Sequence, residues 1–237
     1  MKPPGQARVV IHVEKFAHAR GIRGPGLQRK MEAAMRGLMV VAAMMIGGMA
    51  MAETYKGNET PAYTVETTDG TVEIRRYAPH IAAEVTVTGS RDAAIGAGFR
   101  MLAGYIFGGN AAKQKVAMTT PVTQSEKIAM TTPVTQTGAG TSWTVQFMMP
   151  AAWTLDTLPT PKDDRIRFVT TPARRMVALT FPGIPTTAAL ESRTASLRAW
   201  AAAEGLTLQG PPQFLFYDSP MTLPWNRRNE VAFDLAP

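Results

Sequence analysis

From Tyr63 onward the chain writes one plan twice, and that doubling limits the fold more than any other feature. YTVETTDGTVEIRRY (63–77) alternates about an Asp69-Gly70 turn, the mark of a β-hairpin. HIAAEVTVTG (80–89) reads as a further strand. Ser90 then caps a helix on which Ile95, Phe99, Leu102 and Ile106 recur at helical spacing, and Gly108-Gly109 stops it. SWTVQFMMP (142–150) returns the chain to a strand. The second half repeats the order with strands IRFVTTP (166–172) and RMVALTFPG (175–183), then a helix over Thr187–Glu204. Leu190, Leu197, Trp200 and Ala201 share one face of that helix and Gly205 ends it. QFLFYDSP (213–220) and NEVAFDLA (229–236) close the chain, and TLDTLPTPKDD (154–164) joins the halves. Strands, helix and strands in two rounds predict an α+β domain, a curved antiparallel sheet with two helices packed against it.

A second repetition is finer. KVAMTTPVTQ (115–124) and KIAMTTPVTQ (127–136) differ only by Val116 against Ile128. In an extended chain Val116, Met118, Thr120 and Val122 share a face, as do Ile128, Met130, Thr132 and Val134. Pro121 and Pro133 cannot donate to a ladder, so each copy reads as an edge strand or leaves the sheet there. Two readings follow: a duplicated edge strand turning at Ser125-Glu126, or a pocket rim presenting Met118 and Met130.

The formal net charge of +7 suggests nucleic acid until it is located. Residues 1–52 carry eight basic and two acidic side chains, and the remainder is nearly neutral. No basic, aromatic-interleaved stretch is left in the body to track phosphates, which argues against nucleic acid as a partner. Arg36 precedes the apolar run LMVVAAMMIGGMAMA (38–52), which ends in Ala50-Met51-Ala52. A basic region, a short apolar core and a small-x-small end describe a secretory signal peptide. The run is too short and too interrupted by Gly for a lasting membrane span. The expectation is therefore an N-terminal extension and signal over residues 1–52, starting in effect at Met31 or Met35, and a domain over 53–237 in a periplasm-like compartment. A buried helix or an uncleaved anchor is the other reading of the same run. The absence of Cys is compatible with export when the core is large enough.

Several phrases, in order, carry a resemblance. VEIRRY (72–77), GFRMLAGYIFGGN (98–110), KVAMTTPVTQ (115–124), FMMP (147–150), LPTP (158–161) and YDSPMTLPWNRRNEV (217–231) resemble the SOUL haem-binding protein family. Together they span most of residues 55–235. The resemblance implies a barrel-like curved sheet flanked by two helices with a pseudo-two-fold internal repeat, an architecture shared with gyrase-inhibitor-like sensing domains. The family phrase runs close to IAMTAPV, and Thr120 or Thr132 stands here for its Ala. The copy at 115–124 directly follows GGN, where the family would place it.

The resemblance also implies non-covalent haem, since without Cys there is no C-x-x-C-H attachment. Haem iron accepts His, Cys, Met or Tyr. His80 is the sole His after residue 52 and so the one histidine candidate for the metal. Arg76 occupies the position where some family members carry a His. Other members bind the porphyrin in an apolar cleft with basic groups near the propionates. On the first helix Met101, Tyr105 and Phe107 would line such a cleft and Arg100 would meet a propionate, with Met118 contributing from the repeated phrase. Met101 and Phe107 as core, and Arg100 as a solvated helix residue, is the alternative. NRRNEV (226–231) is expected to satisfy backbone groups where the last strand enters the sheet. No zinc spacing, P-loop, H-E-x-x-H or G-x-S-x-G is present. The sequence thus predicts an exported, non-catalytic protein that holds haem or a related tetrapyrrole reversibly, for buffering or carriage. Alternatives are a binder of another amphipathic molecule in the same cleft, and an enzyme relying on His80 or Tyr105.

Overall fold

The computed structural model describes residues 54–112 and 126–237. In chain order its elements are β1 (Thr54–Tyr55), β2 (Asn58–Glu59), β3 (Tyr63–Asp69), β4 (Val72–Tyr77), β5 (His80–Thr88), α1 (Arg91–Ile106), β6 (Asn110–Ala111), β7 (Val134–Ala139) and β8 (Ser142–Met148). There follow β9 (Thr160–Pro161), β10 (Arg167–Thr171), β11 (Arg174–Phe181), α2 (Thr187–Ala203), β12 (Leu208–Phe216) and β13 (Asn229–Leu235). Nine strands form one curled antiparallel half-barrel in the order β10-β5-β8-β7-β12-β13-β11-β4-β3.

That order is a two-fold palindrome. Reading outward from the central β7–β12 pair gives β7, β8, β5, β10 on one side and β12, β13, β11, β4 on the other. The unit β4-β5-α1-β7-β8 therefore matches β10-β11-α2-β12-β13, as the doubled sequence plan requires. Each unit's first strand has crossed over: β4 pairs with β11 of the second unit, and β10 pairs with β5 of the first. The crossings fall at Pro79 and at Pro172-Ala173. Proline supplies no ladder donor and so suits a point where the chain leaves one set of strands for another.

Each helix covers its own lobe. Ala83, Val85, Val145 and Phe147 of the sheet bury Leu102, Tyr105 and Ile106 of α1. Val177, Leu179, Val231 and Phe233 bury Leu190 and Leu197 of α2. A fully buried side chain of this kind contributes about 1.5–3 kcal/mol. Ser90 and Thr186 cap the two helices by accepting from the N–H groups of Ala93 and Ala189, as their sequence positions suggest.

Three expectations change. The buried stripe of α1 is Ala94, Gly98, Leu102, Tyr105 and Ile106, with Phe99 left exposed. The helix is rotated toward its small residues: a Cβ on Gly98 would meet Val145 Cγ2 at 2.6 Å, so only Gly permits that approach. Second, β7, which ends the second copy of the repeated phrase, lies between β8 and β12 and is no edge strand. Pro133 stands one residue before the ladder begins, so its missing donor interrupts nothing, and residues 126–130 are irregular. Ile128 is buried and its N–H donates to Ile106 O, while Thr131 and Thr132 hydroxyls donate to the carbonyls of Met148 and Tyr217. Met130, half-buried, packs against the α1 core cluster. The first copy, with Met118 and the proposed turn at Ser125, lies outside the described residues. Third, the connection between halves carries a ladder of its own, β9 paired with β6.

Candidate functional site

Four of the residues singled out from sequence share α1. Arg100 and Phe107 are exposed, Met101 is half-buried, and Tyr105 is buried. Positions 96, 100, 104 and 107 fall one above another on a helix. They are Gly96, Arg100, Gly104 and Phe107; Gly104 is bare and exposed, while the Arg100 side chain lies back over Gly96. A Cβ built on Gly104 meets no atom within 4 Å, and one on Gly96 would lie 3.6 Å from Arg100 Nη1. Phe99 flanks the stripe with its ring edge-on to Phe147 at 5.4 Å. The result is a strip with a guanidinium lying toward Gly96, an open position at Gly104 and exposed aromatic rings at Phe99 and Phe107. Gly96, Gly104 and Phe99 were missed from sequence as candidate site residues; the glycines four and twelve residues before Gly108 were the available signal.

Tyr105 is not part of that strip. Its hydroxyl donates to Pro159 O at 3.0 Å and its ring meets Phe168 edge-on, so it ties α1 to the LPTP segment. Burial raises its phenol well above the ordinary value. Asn110 completes the end of the helix. Its Nδ2 donates to Tyr105 O and Glu126 O, and its Oδ1 accepts from Glu126 N, pinning residue 110 to residue 126.

The other predicted residues lie elsewhere. His80 opens β5, where Ile81, Ala83 and Val85 face α1, so pleat alternation turns His80 to the opposite face of the sheet. Its Nδ1 lies 3.3 Å from Ala78 O, an acceptor only, which selects the Nδ1–H tautomer. Burial lowers its pKa and the nearby Arg174 charge adds to that, against the Ala78 bond. Arg76 belongs to the α2 lobe, exposed and paired with Glu66 at 2.6 Å. Among the described residues no group of three His, Cys, Asp or Glu is placed to hold a metal ion. No helix there is long and apolar enough to cross a membrane.

On the helix-free side of the α2 lobe lies a charge cluster that the sequence reading assigned differently. Glu230 of NRRNEV is fully buried and accepts from both terminal nitrogens of Arg75 at 2.8 and 3.0 Å. It also accepts from Arg228 Nη2 at 2.6 Å, Tyr217 OH at 3.0 Å and Thr180 Oγ1 at 3.1 Å. Burial alone would push its carboxyl up, but the two guanidinium groups hold it below its ordinary value. Tyr77, donor to none of this yet bonded by Arg75, is pushed up to about 12 by burial. The expected backbone role is carried by two of the four residues 227–230: Asn229 donates to Phe181 O and Gly183 O, and Arg227 donates to Thr222 O and Pro220 O. Arg228 and Glu230 instead form the buried ionic lock. Arg75, Glu73 and Tyr77 alternating on one face of VEIRRY were its legible sign.

Comparison with curated protein sequences gave no match. Solved structures with similar backbones include a hydrolase from Listeria innocua, at 12% identity over 70% of this chain and 92% of that one, with a TM-score of 0.47. The EcmrR C-terminal domain matches at 12% identity over 73% and 98%, with a TM-score of 0.49. An EcmrR–DNA complex matches at 11% identity over 88% and 69%, with a TM-score of 0.47. Likenesses this distant say nothing about chemistry. The family model described as SOUL heme-binding protein matches residues 58–234, from β2 into β13, and the phrases that define α1 and the buried lock lie inside that span. The chain belongs to the SOUL heme-binding protein family.

Proposed function

We propose that this protein binds haem or a related tetrapyrrole reversibly on the outward strip of α1, as a non-catalytic buffer or carrier, in an exported compartment. The observation that carries the reading is the open position at Gly104 beside the exposed Phe99 and Phe107 rings. A porphyrin is a flat apolar ring with two carboxylates, and Gly104 leaves room for a ring between Phe99 and Phe107. Arg100 stands where a propionate could take two parallel hydrogen bonds. Haem, when bound, supplies an iron of its own; the residues here supply ring burial and a counter-charge. Met101, half-buried beside the strip, is a side chain of a type that ligates haem iron. Tyr105 is committed to Pro159, and His80 stands behind the sheet. These placements favour binding over acid–base catalysis.

The test is a haem titration followed at the Soret band, with Arg100→Glu, Phe107→Ser and His80→Ala alongside. Saturable one-to-one binding is expected, weakened about tenfold by either strip variant, since each removes about 1–2 kcal/mol of apolar or charge-assisted contact. His80→Ala should bind like the parent. A Soret band that never shifts ends the haem reading. A second reading, another amphipathic ligand on the same strip, draws support from the single cation there; a hydrophobic dye that outcompetes haem would favour it. Export rests on the leader, and an N-terminus at about Glu53 on protein recovered from outside the cytoplasm is the result it requires.

A further inference from the structure

Four large apolar side chains stand out in water on neighbouring turns. Met221, Leu223 and Trp225, between β12 and β13, are 89%, 52% and 70% exposed, and Ile184, between β11 and α2, is 57% exposed. Gly183 N–H donates to Pro224 O at 2.9 Å, which stitches the two turns together. Single exposed apolar residues need no explanation, but four on adjoining turns make a patch that points to a binding surface.

Six backbone carbonyls beneath them are hydrogen-bonded, and those of Met221 and Trp225 are left to the surface at the tip. Ser219 O accepts from Thr222 N, Leu223 O from Asn226 N, and Pro224 O from both Gly183 N and Arg227 N. Pro220 O and Thr222 O accept from the Arg227 guanidinium, and Asn226 O accepts from Lys56 Nζ. A turn that remains in water can leave such carbonyls to the solvent. A turn seated at the lipid headgroup boundary needs most of them satisfied internally, and the rest can keep water of the headgroups. The charges fit the same environment. Asp218 is the sole acid between Tyr217 and Arg228, and its oxygens are occupied by Lys56, Tyr55 and the Arg228 N–H. Lys56 shares its charge with Asp218, and Arg227, with no acid partner among the described residues, is the flanking cation.

We propose that residues 219–226, with Ile184, form a finger that docks the protein on an anionic phospholipid surface. Met221, Leu223 and Trp225 enter the boundary between headgroups and acyl chains, where Trp is favoured, and Arg227 lies level with the lipid phosphates. The docking does not depend on haem.

The experiment uses the full chain and vesicles of phosphatidylglycerol and phosphatidylcholine brominated at shallow acyl positions, with tryptophan fluorescence as readout. Residues 1–52 contain no Trp, so insertion of the leader is silent. Trp143 is buried, Trp153 packs half-buried against the α1 core and Trp200 is half-buried and bonded to Asp69, which leaves Trp225 as the exposed reporter. Quenching is expected in the parent, absent in Trp225→Phe, and reduced at least fivefold in Met221→Ser/Leu223→Ser, with near-UV circular dichroism confirming that both variants fold. Quenching that persists in Trp225→Phe would overturn the proposal. So would an absence of quenching with every vesicle, which would assign the patch to a protein partner instead.

Discussion

Arg75 and Glu230 are the pair on which single changes act most strongly. Both are buried, and their mutual geometry is bidentate, so removing one partner leaves an uncompensated charge in the interior. Arg75→Ala should therefore cost about 3–5 kcal/mol in urea unfolding, more than an apolar truncation of similar size on the surface. The pH dependence follows from the same pair. Because the folded-state pKa of Glu230 lies below its ordinary value of 4.5, its contribution is complete above that value. It is lost as pH falls from 4.5 through the folded value. Unfolding curves from pH 7 down to pH 3 should show this acid limb in the parent and a shallower one in Glu230→Gln. The sequence did show these residues as charged positions on strands. It did not show them as a pair, because β4 and β13 each neighbour β11 and only the sheet order brings them together. A similar blindness affected His80: alternation was visible, but which face α1 would cover was not.

Within α1, two glycines make opposite statements about the same helix. Gly98 is pressed on Val145, whereas Gly104 faces open space. Gly98→Ala should destabilise by about 1–3 kcal/mol through overpacking, and Gly104→Ala should stabilise by about 0.5–1 kcal/mol through helix propensity. Thermal unfolding of the two variants checks the pair, and equal signs would place the helix in the wrong rotation. Propensity and spacing sufficed to find α1, its cap and its end. They misplaced its buried face because a large-residue stripe was counted and the small residues that allow close approach were not. The repeated phrase shows the same limit. Its prolines were readable, but the central place in the sheet of the end of its second copy, from Val134 on, is decided by β8 and β12 on either side.

For the whole molecule, the doubling in the sequence was enough to anticipate two lobes, one sheet and two helices. The exchange of first strands between the units was not readable, because a strand's pattern says which face it buries and not which neighbour it takes. That exchange makes the lobes interdependent. Residues 54–155 expressed alone lack β10 for the edge of β5, and residues 156–237 lack β4 for the edge of β11. Each fragment should be largely unfolded by circular dichroism, and mixing the two should restore strand and helix signals. Independent folding of either fragment would show that the exchanged strand is dispensable.

The palindrome also sets a timetable on the ribosome. β5 has emerged long before its outer neighbour β10, and β4 waits for β11, so no lobe can close while only the first half of the chain exists. A nascent chain of this kind stays unlocked until its C-terminal strands arrive, and the burial of Glu230 against Arg75 is among the last events to seal it.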